Sequence, residues 1–358
     1  MNTHNAWLIY GATGDTGRLI IEEAVRRGHK PILAGRSEEK LRALAEPLGL
    51  EWTAFGLDDL LALHKTAQDT SLILNVAGPF SNTSASIVRA CLEAGVSYLD
   101  VANEVEVFEA LYAQDETARQ RRVALIPGVG FGVTTSDCLA MYVANQVPEA
   151  QELEVAISLY NAHESPSAML TRTRAMASGG RVRRVGQLEH ATLGAGGRRM
   201  PFPDGAHTIL PVPLADVVSS YRSTGIPNVT AYMTFAVNPF IARMALPVIQ
   251  KLAAIPAVQQ MLARPNRSLA KAEMQTAPQH SYVWAHASDK KRHTAEAWLE
   301  TGEGYGYSAA AAVRAVELVL QRRPVGALTP AQAFGADFPL AIPGVRRFAV
   351  DEPILAGH

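Results

Sequence analysis

Near its N-terminus the chain reads Trp7-Leu8-Ile9-Tyr10, four apolar residues, then Gly11-Ala12-Thr13-Gly14-Asp15-Thr16-Gly17, three glycines at three-residue spacing. A helix-period segment follows from Thr16 to Arg27, with Leu19, Ile20, Ala24 and Val25 spaced for one buried face. A strand that becomes a helix through such a turn leaves few folds open, because the turn must be tight and the helix must lie back on its strand. Gly11 suits the tight turn, Gly14 lets a ligand approach the backbone, and Gly17 lets the helix pack closely. The first N–H groups of that helix, with the positive end of its dipole, suit a pyrophosphate.

The alternation continues. Pro31-Ile32-Leu33-Ala34 is the next short strand, closed by Gly35-Arg36-Ser37, and Ser37 reads as the N-cap of a helix through Leu48. Further strand candidates are 53–55, 72–75, 97–100 and 124–126, with helical stretches around 59–67, 84–94 and 104–121. This spacing predicts βαβ units and an α/β fold, a Rossmann-type doubly wound parallel sheet over residues 1–130. Pro127-Gly128-Val129-Gly130-Phe131-Gly132 reads as a hinge into a second, α+β substrate and dimerisation domain over 131–304. In that domain a helix is expected from Thr134 to Val147, a strand over 153–159 and a hairpin from 280–287 to 293–300.

Composition narrows the function. Hydrophobic residues at 48% and charged residues at 19% fit a packed core, which a 358-residue chain can form without disulfides or metal. The near balance of 33 Lys+Arg and 34 Asp+Glu gives no global pull towards nucleic acid. No run of 18 apolar residues predicts a transmembrane segment, and Met1–Asn5 lacks a signal-peptide start. Cys91 and Cys138 are expected as reduced, buried thiols in a cytoplasmic protein.

Cofactor choice is read at the end of the second strand. An NAD site carries Asp or Glu there for the ribose 2′-hydroxyl, whereas this chain has Arg36 and Ser37. A guanidinium and a hydroxyl suit a 2′-phosphate, so NADP(H) is expected. Asn75-Val76-Ala77-Gly78-Pro79-Phe80, after the fourth strand, is expected to flank the pyrophosphate and nicotinamide ribose. Asp58, past the third strand, suits either the adenine amine or an ordinary N-cap.

Several chemistries are absent. None of the ten tyrosines has a Lys four residues later, which removes the Tyr-x-x-x-Lys pair of short-chain dehydrogenases. Cys138 stands beside Asp137, a poor setting for a thiolate nucleophile. No His-Glu-x-x-His or Cys-x-x-Cys is present, and no metal is expected. Asp100, ending the fifth strand, and Glu104, one helical turn later, are the candidate catalytic groups for orienting substrate or handling a proton; Glu104 equally suits a first-turn acid. Tyr160 and Tyr305 are further candidate proton donors.

Taken with the later segments, these residues resemble the saccharopine dehydrogenase-like NADP-binding oxidoreductases, including trans-acting enoyl reductases. The resemblance runs through Ile9–Gly17, Leu33–Ser37, Asn75–Phe80, Tyr98–Asp100 and Pro127–Phe131, then Ser178–Gly180, Gly225–Val229, Gly304–Tyr305 and Gly326–Ala331. It implies hydride transfer from NADPH to a C=C (enoyl), C=N or C=O bond, and a helix over about 305–335 returning to the first domain. Two departures, Gly132 with Thr135 and Arg181 after Ser178-Gly179-Gly180, fall on the substrate side, so substrate identity does not transfer.

Residues 172–199 hold seven arginines (Arg172, Arg174, Arg181, Arg183, Arg184, Arg198, Arg199) and one acid, Glu189. They suit an anion site for a carboxylate, an acyl-thioester (CoA or phosphopantetheine) phosphate or an acidic carrier protein, or else a solvated loop whose charges are answered elsewhere. The apolar segment 239–262 is expected as core or dimer contact, with a lid or membrane-surface helix as alternatives. The reading is an NADPH-dependent reductase, expected as a homodimer, with the nicotinamide facing a pocket between its domains; a non-catalytic NADP(H)-binding redox sensor is the rival.

Overall fold

The computed structural model describes residues 6–159, 166–253, 255 and 280–349. The chain forms two compact units, Met1–Thr134 with Tyr305–Phe334, and Thr135–Gly304 with Gly335–His358.

The first unit alternates β1 (Trp7–Tyr10), α1 (Asp15–Arg26), β2 (Ile32–Gly35), α2 (Glu38–Ala45), β3 (Trp52–Ala54), α3 (Leu60–Gln68), β4 (Leu72–Asn75), α4 (Ser84–Ala94), β5 (Ser97–Asp100), α5 (Val105–Tyr112), α6 (Asp115–Arg121) and β6 (Ala124–Ile126). All strands run parallel, in the order Gly326–Ala327, β6, β5, β4, β1, β2, β3. β1 and β4 are buried along their whole length. They are covered on both faces, which is why they read as continuous apolar runs rather than alternating ones. Strand order reverses between β1 and β4, and ligands of such sheets bind where it does, outside the carboxyl ends.

Local chemistry moves some element ends. The helix after Ser37 stops at Ala45 and tightens into a 3₁₀ turn over Glu46–Leu48, because Pro47 has no N–H to continue it. The helical stretch 104–121 breaks in two, and the break lets Asp115 accept a 2.8 Å bond from the N–H of Ala327 in the last strand.

The second unit holds a mixed sheet in the order Arg198–Phe202, Gly205–Pro211, Asn228–Phe235, Glu152–Ser158, Ser281–Ser288, Thr294–Thr301, Arg346–Phe348. Asn228–Phe235 and Glu152–Ser158 pair parallel; the other pairs in that path are antiparallel. Trp284, Trp298, Phe202, Tyr232, Met200 and Phe348 pack into one layer on it. The predicted hairpin forms one residue later than expected, from Ser281↔Thr301 to Ser288↔Thr294.

Two expectations need correction here. The arginine-rich stretch is not a loop: it includes strands Gly180–Arg184 and Gln187–Ala191 and enters Arg198–Phe202. Its strongest charges are answered within the fold. Arg198 makes a bidentate pair with Glu154 at 3.0 and 2.9 Å, and buried Arg183 donates to the carbonyls of Val217 and Gly186. The apolar segment, described as helix Pro239–Ala253, is not core: Phe240 is 74% exposed, and only Leu246 of its large described side chains is buried. Residues 256–262 lie outside the described residues.

Candidate functional site

The glycine turn joins β1 to α1 under unequal constraints. Gly11 sits at φ +92°, and a Cβ there would lie 2.8–2.9 Å from Ala77, so the loops after β1 and β4 touch at this point. At Gly17 a Cβ would fall 2.6 Å from the carbonyl oxygen of Gly11 and 2.8 Å from that of Ala12, both immovable backbone. Gly14 differs. Its φ is −77°, and a Cβ would meet nothing nearer than 3.4 Å. The packing requires glycine at 11 and 17 but not at 14, whereas a phosphate lying on the helix start does require the space a side chain would fill. The first turn of α1 receives no side-chain cap, and Gly14 and Asp15 are exposed, Thr13 and Thr16 half-buried, and Ala12 buried.

Beside this turn, β2 ends in exposed Arg36 and half-buried Ser37. Ser37 occupies the N-cap position of α2 with extended backbone but makes no capping bond, so a second helix start is open next to the first. The Tyr10 ring packs on Phe55, with centroids 5.4 Å apart. Its phenol is pushed up from the usual range by burial; Arg36 opposes that shift and Asp58 adds to it. Arg36 and Asp58 therefore converge on the end of β1. The capping alternative for Asp58 is corrected: Asp59 caps α3, its carboxylate accepting from the Ala62 N–H at 3.0 Å.

The ends of β4, β5 and β6 are joined by one buried network. Asn75 lies opposite Asp100 in the sheet register. Its amide donates to Thr83 and to the Tyr98 hydroxyl, both at 3.1 Å, and its carbonyl accepts from the Ala77 N–H at 3.0 Å. Tyr98 donates to Asp100 Oδ2 at 2.8 Å, and Oδ1 accepts from the N–H groups of Ala102 and Gly128, each at 2.9 Å. Burial pushes the Asp100 carboxyl up to about 6 against the pull of these three donors. Glu104 reaches across to the loop after β4. Its two oxygens accept from the N–H groups of Phe80 and Ser81 at 2.7 and 2.9 Å, and it makes no capping bond to its own helix α5.

The structure thus brings Gly11–Gly17, Arg36, Ser37, Asp58 and Asn75–Phe80 to one edge of the first unit's sheet, but the predicted residues divide by what they expose. Asn75, Val76 and Phe80 are buried, and Ala77, Gly78 and Pro79 present the accessible surface. Asp100 is fully buried with every oxygen engaged, and Glu104 braces a loop; neither is aimed outward as an acid or base. Sequence reasoning missed Tyr98 as the hub of the network. The available signal was spacing: Tyr98 and Asp100, two apart on a strand, share a face. Both cysteines are free and buried, and burial pushes their thiols upward, so neither is an activated nucleophile. Tyr305 is half-buried, and Tyr160 lies outside the described residues. Among the described residues no cluster of His, Cys, Asp and Glu could hold a metal, and no helix is long and apolar enough to cross a membrane.

Comparison with known proteins decides what this edge belongs to. Residues 7–126 match the saccharopine dehydrogenase NADP binding domain. This match takes in the first unit from β1 to β6. The chain is 29% identical over 160 residues to a saccharopine dehydrogenase-like oxidoreductase of Mus musculus, a match covering 39% of this chain and 37% of that protein. It is 32% identical over 105 residues to a trans-acting enoyl reductase of Mycobacterium ulcerans, covering 27% and 25%. The match to the mouse protein thus spans little more than a third of its length. The solved L-Glu-forming saccharopine dehydrogenase of Saccharomyces cerevisiae shares the fold across both units, with a TM-score of 0.62 at 12% identity over 96% of this chain and 99% of that one.

Proposed function

We propose that this chain is an NADPH-dependent oxidoreductase that delivers hydride to a C=C, C=N or C=O bond of a small-molecule or carrier-bound substrate. The observation that carries the reading is the end of β2, where exposed Arg36 and half-buried Ser37 stand beside an uncapped helix start and no carboxylate occupies the ribose position. In this assignment the backbone N–H groups after Gly14 hold the pyrophosphate, and Arg36 with Ser37 holds the 2′-phosphate. Asp58 lies near the adenine side, and Ala77–Pro79 border the nicotinamide ribose. Bound NADPH supplies the hydride.

Asp100 and Glu104 act as positioning residues. Asp100, through Tyr98 and Asn75, fixes the loops after β4 and β6, while Glu104 fixes the turn at Phe80–Ser81. With those oxygens committed to backbone N–H groups and to the Tyr98 hydroxyl, protonation of the substrate falls to water or to another side chain. The enoyl reductase relative supports including carrier-bound enoyl groups among the substrates.

The test is turnover. Purified protein with NADPH is offered enoyl thioesters, cyclic imines and ketones while loss of the reduced nicotinamide is followed. Consumption that depends on one substrate class supports the reading and names the bond. Tight NADPH binding without consumption across all three classes contradicts it and leaves a nucleotide sensor.

A further inference from the structure

The helix Pro239–Ala253 carries an apolar face that the second unit leaves uncovered. Phe240, Met244, Ile241 and Leu252 are 74%, 67%, 58% and 51% exposed, and at helical spacing they fall within about 120° of one another. Ile255 continues the stripe just past the helix end. On the opposite side Leu246 is buried against Leu193 and Leu210, so the helix is anchored to its own unit by one face and presents the other. A contiguous row of large apolar side chains in water is a liability unless something covers it.

The charges around the row select the occupant. Exposed Arg243 stands at its margin and exposed Lys251 within its arc near the C-terminal end, and the helix has no acidic residue. The described stretch from Val217 to Ala253 contains no Asp or Glu, while Arg222, Arg243 and Lys251 fall within it. The helix packs against Pro166–Ala177, whose sequence is also free of acids and carries Arg172 and Arg174. A two-fold dimer through this face would set basic side chains against basic ones, with no carboxylate among the described residues of Pro239–Ala253 to answer them. An anionic lipid surface answers both features, taking the apolar side chains into the acyl boundary and the basic ones among the headgroups. The protein's near-neutral total does not oppose this, because screening confines the interaction to charges within about 10 Å of the surface.

We propose that the exposed face of Pro239–Ala253 is a docking surface for an anionic membrane, on which the protein binds reversibly without spanning it. This assignment does not depend on the reaction proposed above. The test is co-sedimentation with vesicles of phosphatidylcholine alone and of phosphatidylcholine containing phosphatidylserine. It is run at low and at near-physiological salt, with oligomeric state followed in parallel by analytical ultracentrifugation. Wild type is expected on the phosphatidylserine vesicles at least ten-fold above phosphatidylcholine alone, with the difference shrinking as salt rises. Phe240→Asp with Met244→Asp should abolish sedimentation on both compositions. Arg243→Glu with Lys251→Glu should remove only the preference for phosphatidylserine. Far-UV circular dichroism and a thermal melt matching wild type report that each variant is folded. Wild type that stays in solution with both vesicle types overturns the proposal. So does a Phe240→Asp, Met244→Asp protein that changes from dimer to monomer, which would make the face a contact between copies of this chain.

Discussion

Glycines 14 and 17 look alike in sequence, yet the structure gives them different work, and substitution should separate the two. Ala at position 17 forces a methyl against two backbone carbonyls at 2.6 and 2.8 Å. Overpacking of that kind costs about 1–3 kcal/mol, so Gly17→Ala should lower the melting temperature by several degrees. Gly14→Ala meets only ordinary contact at 3.4 Å and should melt with wild type, yet lose NADPH affinity by roughly ten-fold or more, because the methyl occupies the phosphate's place. Thermal melts with parallel nucleotide titration check both; equal melting losses would remove the distinction. Glu104→Gln keeps one acceptor oxygen and forfeits the other, a charge-assisted bond worth about 1.5–3 kcal/mol. It should weaken NADPH binding several-fold by loosening Phe80–Ser81, and unchanged affinity would show that the brace does not reach the site.

Asp100 gives the fold a pH signature with a definite sign. Its carboxyl is raised to about 6 in the folded chain, chiefly by burial, from an ordinary 3.8. Between those values the folded state holds a proton that the unfolded state has released, so this group's contribution to stability falls as pH rises through that window and is level above it. The full swing is on the order of 2–3 kcal/mol. Asp100→Asn keeps an oxygen for Ala102 and Gly128 and cannot titrate. In urea melts the stability of wild type relative to this variant should therefore shrink from about pH 4.5 to about pH 7. A gap that holds constant across that range would mean the carboxyl does not titrate there.

At the scale of elements, legibility followed burial. The strands of the first sheet announced themselves because both faces are covered, which leaves runs such as Leu72-Ile73-Leu74 with no polar interruption. The turn after β1 was readable because its glycines answer to local geometry. Boundaries were less readable where distant partners set them. The break between α5 and α6 exists so that Asp115 can meet Ala327, more than two hundred residues away in sequence. Likewise Asn75 read as a cofactor residue and Asp100 as a catalytic group, and only the sheet register shows them joined through Tyr98. The helix Pro239–Ala253 misled in the other direction: its apolar content suggested core, and exposure is a property of the assembled unit.

At the scale of the whole molecule, the nucleotide unit is discontinuous. Gly326–Ala327 adds the seventh strand beside β6, and Ser308, on the helix Gly304–Arg322, accepts from the Phe131 N–H at 2.9 Å. A chain ending at Thr134 keeps the glycine turn and Arg36 but loses that strand and that helix, leaving the β6 edge unpaired. It should melt at least ten degrees below the full chain or aggregate on expression, checked by circular dichroism and gel filtration. A truncated protein as stable as the full chain would show that the returning segment is dispensable.

The central claim is that the edge of the first sheet selects NADPH through Arg36. Titration of NADPH and NADH, followed by nicotinamide fluorescence on wild type and on Arg36→Ala, tests it most directly. Removing one charge-assisted contact should cost about 1.5–3 kcal/mol, roughly ten- to hundred-fold in affinity for NADPH, with affinity for NADH nearly unchanged. If NADH binds wild type as tightly as NADPH does, or if the variant keeps the preference, Arg36 does not hold the 2′-phosphate and the assignment built on the end of β2 is contradicted.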